Sequence, residues 1–254
     1  MKNPVIIANW KMNLNHEDSL SCAKKIAKNF SKHKGADVVL CPSFTDLISV
    51  RDAIAGTGIY LGAQNCFWDD EGSYTGEISP KFLEDIGVKY VIVGHSERRK
   101  YFGEDFEMIR KKITYLTTLD ITPVLCVGET FDERQDGLKD VVLQKQLTTS
   151  LSGLWFNKSD TLIIAYEPVW MIGTGQDINP DEIEHSHRVI KQLLYDLFPD
   201  SIIDNQVKII YGGSVDPENA RIYLREKSVS GLLVGKASLD PVQFGAIVAG
   251  SLKN

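Results

Sequence analysis

Residues 162–167 read LIIAYE: three aliphatic residues, an alanine and a tyrosine, then a glutamate with Pro168 directly behind it. A run that is apolar at every position has no face left for water. It reads as a strand buried on both sides, the condition of a parallel sheet covered by helices. Seven further runs of this kind are spread along the chain: VIIAN (5–9), DVVLC (37–41), IYLGAQ (59–64), YVIVG (90–94), TPVLCVG (122–128), VKIIYGG (207–213) and GLLVG (231–235). Helical periodicity lies between them. Leu20, Ala23, Ile26, Ala27 and Phe30 share one face, as do Ile183, Ser186, Ile190, Leu193, Leu194 and Leu197. The second of these helices has a written start, with Asn179 as cap, Pro180 in the first turn, and Asp181 and Glu182 at the positive end. Asp216-Pro217-Glu218 predicts another helix start of the same form.

Eight strands alternating with helices in 254 residues specify an α/β fold, a (β/α)8 barrel. A doubly wound open sheet is the rival, and its dinucleotide-binding version is weakened because no GxGxxG follows the first strand. No linker or low-complexity tract divides the chain, so residues 1–254 read as a single domain, and a 43% hydrophobic content supplies its core.

A net charge of −6 argues against a nucleic-acid partner, although a local cationic cleft still admits a small anion. Cys22, Cys41, Cys66 and Cys126 contain no CxxC, which speaks against a zinc or redox site and against disulfide staples. No stretch reaches the length of a membrane span, and the apolar run at the N-terminus is too short for a signal peptide, so a cytoplasmic protein is expected. His185 and His187 are two apart on a helix and share no face, so no metal pair is read there. With His16 and His33 they read as surface residues.

In a barrel, chemistry belongs at the C-terminal ends of the strands. Polar residues gather there: Asn9 and Lys11 after the first strand, His95 and Glu97 after the fourth, Glu167 after the sixth, Ser214 after the seventh, and Gly235 and Lys236 after the eighth. Glu167 is placed as a base and Pro168 biases it toward extended backbone. His95 opens a helix, where backbone N–H groups favour a neutral imidazole. Lys11 is a compact cation suited to a developing oxyanion, and Glu97 can pair with it.

ANWKMN (8–13), AQN (63–65), YTGEIS (74–79), VGHSERR (93–99), YEPVW and IGTG (166–175), YGGSV (211–215) and LVG with ASL (233–239) together resemble the triosephosphate isomerases, from the first strand to the last. The resemblance implies a single-domain TIM barrel that interconverts dihydroxyacetone phosphate and glyceraldehyde 3-phosphate without a cofactor or metal. It implies Glu167 as catalytic base, with His95 and Lys11 on the substrate oxygens. Asn9, Gly173, Ser214, Gly235 and Lys236 become substrate contacts. A mobile lid follows, with Pro168, Val169 and Trp170 as its first hinge, Met171 and Ile172 covering the site, and Gly173, Thr174 and Gly175 completing it. Tyr211 and Ser214 would latch it closed. In the family the loop around Thr75 reaches into a second subunit, near that subunit's Asn9 and Lys11, which implies a homodimer.

Three positions depart from the family pattern: Lys236 in place of a glycine, Met171 in place of the lid alanine, and Gln176-Asp177-Ile178 in the second hinge. Two other readings stay open on the residues alone. One is a Schiff-base barrel enzyme using Lys11 or Lys236 as nucleophile, which leaves Glu167 with His95 unexplained. The other is a barrel retained for binding only.

Overall fold

The computed structural model describes residues 3–30, 35–157, 161–174 and 177–252. His33, Gly175 and Gln176 therefore lie outside the described residues. Eight parallel strands close into a barrel in sequence order: β1 (Val5–Asn9), β2 (Asp37–Cys41), β3 (Tyr60–Ala63), β4 (Val88–Val93), β5 (Thr122–Val127), β6 (Leu162–Tyr166), β7 (Val207–Tyr211) and β8 (Gly231–Val234). The closing pair is β1 with β8, in register from Val5 opposite Gly231 to Ala8 opposite Val234. One irregularity interrupts the ladder, a register shift between Leu61 and Gly62 where β3 meets β4.

The continuous apolar runs are explained by two separate packing layers. Val5, Ile7, Val39, Cys41, Ile92, Val124, Cys126, Ile163, Ala165, Ile210 and Leu233 form one buried cluster inside the barrel. Their strand neighbours, such as Ile6, Ala8, Leu40, Val91, Val93, Leu125 and Ile164, join the larger cluster under the helices. Successive residues of a strand point to opposite faces, so a strand with two apolar faces must be apolar throughout. All four cysteines are free and buried, and burial pushes the Cys22 and Cys66 thiols up to about 12. No helix among the described residues is long and apolar enough to cross a membrane.

The helix Pro180–Leu197 starts where the sequence places it. The Asn179 side chain accepts from the Asp181 N–H at 3.0 Å, and Ile183, Ser186, Ile190 and Leu194 are buried. One expectation holds in part and another fails. Asp216 caps as expected, its side chain accepting from the N–H groups of Glu218 and Asn219 and its carbonyl from the Ala220 N–H, but residues 217–219 form a turn and the regular helix begins only at Ala220. His187 is fully buried rather than exposed, with Nδ1 3.2 Å from the Ser228 carbonyl and its ring edge-on to Tyr166. The polar flanks of that helix, Glu184 and Arg188, hide an inward histidine from a reading by residue type.

Candidate active site

A cleft of about 280 Å³ opens at the C-terminal ends of the strands. Asn9, Lys11, His95, Glu167, Ile172, Gly173, Thr174, Ser214, Gly235 and Lys236 all line it, so residues from five strand ends meet in one space.

Glu167 is one residue past the end of β6, two beyond Ala165 of the inner cluster, and its side chain follows the same inward direction. Its backbone is fixed by a close approach. The Glu167 N–H donates to the Val127 carbonyl at 2.7 Å, and a Cβ on Gly128 would lie 1.7 Å from the Glu167 carbonyl oxygen. Only glycine fits there. Gly128 is held in turn by Gln146, which exchanges hydrogen bonds with its N–H and carbonyl at 2.8 and 2.9 Å.

The Glu167 carboxylate is 2% exposed. Oε1 lies 3.1 Å from His95 Nε2, and Oε2 accepts from the Ser96 N–H at 3.2 Å. Burial would raise its pKa, but the His95 ring, the Ser96 N–H and Lys11 outweigh burial and hold it below the usual carboxylate value. Excluding water from a buried carboxylate would by itself make it more basic. Here the carboxylate is turned onto His95 and Ser96, and these partners set the opposite direction.

His95 reaches the cleft through a break in the strand alternation. Gly94 has φ 70°, a left-handed conformation costly for other residues, and it turns the chain so that His95 caps the helix Ser96–Phe102. Nδ1 accepts from the Glu97 N–H at 3.2 Å, which leaves the proton on Nε2, facing the cleft. Burial opposes charge on the ring, while the Glu167 carboxylate raises its pKa above the ordinary value. The Glu97 N–H that donates to Nδ1 acts the other way and favours the neutral ring.

Lys11 is the one non-glycine residue with positive φ among the described residues, at 52°. Such backbone costs about 1–3 kcal/mol and persists only where its surroundings hold it. Gln64 Nε2 donates to the Lys11 carbonyl at 2.9 Å, and the Lys11 N–H donates to Asn9 Oδ1 at 3.2 Å. Its ammonium group lies 2.5 Å from Glu97 Oε1. Glu97 stands behind Lys11 and does not line the cleft.

The lid segment divides unexpectedly. Val169–Met171 is a short 3-10 turn, and Met171 is buried in the outer core rather than lying over the cleft. An unbranched apolar side chain can face either way, and here the core takes it. Ile172, Gly173 and Thr174 form the cleft wall instead. Trp170 packs against the outer core, and it has a polar partner that the sequence does not reveal. Its indole N–H donates to Glu129 Oε1 at 2.9 Å, the Tyr166 hydroxyl bonds both Glu129 oxygens at 3.2 Å, and the Arg134 guanidinium lies over the indole. Burial pushes the Glu129 pKa up. Among the described residues the buried Tyr211 hydroxyl has no hydrogen-bond partner, and Gly173 and Thr174 are exposed.

Of the three departures, Lys236 is resolved by its backbone. It opens the 3-10 turn Lys236–Leu239 with no positive φ, so a side chain there is unstrained. Asp177 accepts from Asn219 Nδ2 at 2.8 Å, and Asn219 Nδ2 also reaches the Ser214 carbonyl at 3.3 Å, tying the second hinge to the strand-seven turn. Thr75 is exposed in the loop after β3.

An eight-stranded parallel barrel with a carboxylate, an imidazole and a lysine converging at its C-terminal mouth is an α/β-barrel enzyme. A family profile described as triosephosphate isomerase matches residues 4–251. A triosephosphate isomerase of Carboxydothermus hydrogenoformans is 44% identical over 252 residues, covering 99% of this chain and 100% of the relative. One from Aquifex aeolicus is 42% identical, covering 96% and 98%. The crystal structure of the Bartonella henselae triosephosphate isomerase superposes with a TM-score of 0.86 at 35% identity, covering 98% of this chain and 99% of that one. The chain belongs to the triosephosphate isomerase family.

Proposed function

We propose that this protein interconverts dihydroxyacetone phosphate and D-glyceraldehyde 3-phosphate, the isomerisation used in glycolysis and gluconeogenesis, and that it does so in the cytoplasm without a cofactor. The observation that carries the reading is the buried pairing of Glu167 with His95 Nε2 at 3.1 Å, beside the Lys11 ammonium, at the floor of one cleft.

Glu167 leaves His95 and Ser96, takes a proton from one substrate carbon and returns it to the next through an enediolate. His95 donates from Nε2 to the substrate oxygens, its other nitrogen held by the Glu97 N–H. Lys11 stabilises the negative charge on those oxygens, positioned by Glu97. Asn9 contacts the substrate beside it. Backbone N–H groups of Gly173, Ser214, Gly235 and Lys236 bind the phosphate. Closure of the lid excludes water and strengthens Glu167 as a base.

The active form is a homodimer in which the loop carrying Thr75 approaches the partner's Asn9 and Lys11. Support comes from large apolar side chains left in solvent in and beside that loop and near the cleft: Met12, Tyr74, Phe82, Tyr101 and Phe102 are all exposed. A coupled assay with D-glyceraldehyde 3-phosphate at several protein concentrations tests both parts. Rapid conversion with specific activity falling on dilution is expected. Folded protein that converts nothing at any concentration would refute the reaction, and activity independent of dilution in a monomer would remove the dimer.

A further inference from the structure

Beside the backbone N–H groups offered to the phosphate, the cleft has one cationic side chain that no carboxylate among the described residues offsets, Lys236. The chain carries a net charge of −6, so long-range attraction does not bring an anion to this surface. Within the cleft, the charge on Lys11 is matched by Glu97 at 2.5 Å, and Glu167 adds a second carboxylate. His95 keeps its ring neutral when Nδ1 accepts from the backbone. Among the described residues the only other ionisable side chain lining the cleft is Lys236. It is exposed, and none of the ion pairs among the described residues involves it.

The backbone that carries Lys236 is also fixed. The Gly235 carbonyl accepts from both the Ser238 N–H and the Ser238 hydroxyl, at 2.9 and 2.6 Å, and Ser238 is fully buried. The side chain therefore leaves an anchored turn, in ordinary right-handed geometry, at the wall shared with Lys11 and Gly235. An ammonium on a flexible four-carbon stem can follow a phosphoryl group as the lid moves, at the entropic cost of ordering one exposed side chain.

We propose that Lys236 is a specificity-determining residue whose ammonium group supplies the uncompensated positive charge that binds the substrate's phosphate dianion. Its role is distinct from that of Lys11, which is already paired and faces the reacting oxygens. The proposal rests on the reading that the substrate is a phosphate ester.

The test compares the full-length protein with Lys236→Met and Lys236→Arg in two measurements. The first is calorimetric titration with inorganic phosphate at low ionic strength. The second is KM for D-glyceraldehyde 3-phosphate as a function of added salt. The Met variant is expected to bind phosphate about fivefold more weakly, the scale of one solvent-screened charge acting on a dianion at close range. Its KM should rise by a similar factor with a flatter salt dependence, and the Arg variant should recover both. Unchanged phosphate affinity, KM and salt slope in the Met variant would overturn the proposal, as would a loss that Arg does not restore. The two readings fail separately. Protein that binds phosphate through Lys236 yet converts no triose phosphate sinks the isomerase reading and leaves this one standing. Protein that turns over normally with methionine at 236 does the reverse.

Discussion

Asn9, Lys11, His95 and Glu167 stand on or next to strand ends, and each is held by at least one hydrogen bond to a neighbouring element or to its own turn. The opposite wall is different. Ile172, Gly173 and Thr174 are half-buried or exposed, and among the described residues the buried Tyr211 hydroxyl has no hydrogen-bond partner. One wall is braced by neighbouring elements before any ligand arrives, while the other lies more open to solvent. Reacting atoms demand placement to within a fraction of an ångström, which strand ends provide. A phosphate that must enter and leave demands a wall that moves.

The comparison can be broken at its strongest point by Glu167→Gln. Gln keeps the shape and can still accept from the Ser96 N–H, so the circular dichroism should not change, yet turnover should fall about a thousandfold, the scale of a lost general base. Near-normal activity would remove Glu167 from the mechanism.

The fixed wall also rests on a buried histidine behind β6. Burial pushes the His187 pKa down from 6.5 to about 4, although the Ser228 carbonyl and Glu184 act the other way. The unfolded chain then binds a proton that the folded chain refuses between those values. Stability should therefore fall as pH drops from about 6.5 toward about 4, by about 3 kcal/mol from this residue. Thermal melts across that range should show the slope, and His187→Gln should flatten it. An equal slope in both proteins would place the acid sensitivity elsewhere.

The more open wall is tested by Tyr211→Phe. The hydroxyl makes no hydrogen bond among the described residues, so its removal should leave the melting temperature equal or higher. If it latches the lid, turnover should still fall about fivefold, the value of one hydrogen bond of about 1 kcal/mol. Full activity in the Phe variant would dispense with the latch and narrow the difference between the walls.

These two walls also differed in how far the sequence revealed them. Strand ends are legible because a doubly buried strand is apolar throughout, so the first polar residue after LIIAY or VIIA marks the mouth of the barrel. The lid was less so. Met171 is apolar, and composition does not say whether such a residue covers a cleft or fills a core; packing decided for the core. Glu129 and Gln146 were missed for another reason. Each acts through partners 18 to 41 residues away, and nothing local marks them except the glycine that ends TPVLCVG beside Glu129. The left-handed backbone of Lys11 was equally silent, since lysine has no preference for it and Gln64 imposes it from another strand.

The contact between Gly128 and the Glu167 carbonyl bears on any attempt to transplant this chemistry. Copying a glutamate, a histidine and a lysine onto the rim of another eight-stranded scaffold would reproduce the functional groups without their alignment. Here the aim of the glutamate is set by two main chains passing too close for any side chain, with a distant glutamine keeping the bare one in place. A recipient scaffold would have to supply that bare neighbour and its brace first, and accept the carboxylate afterwards.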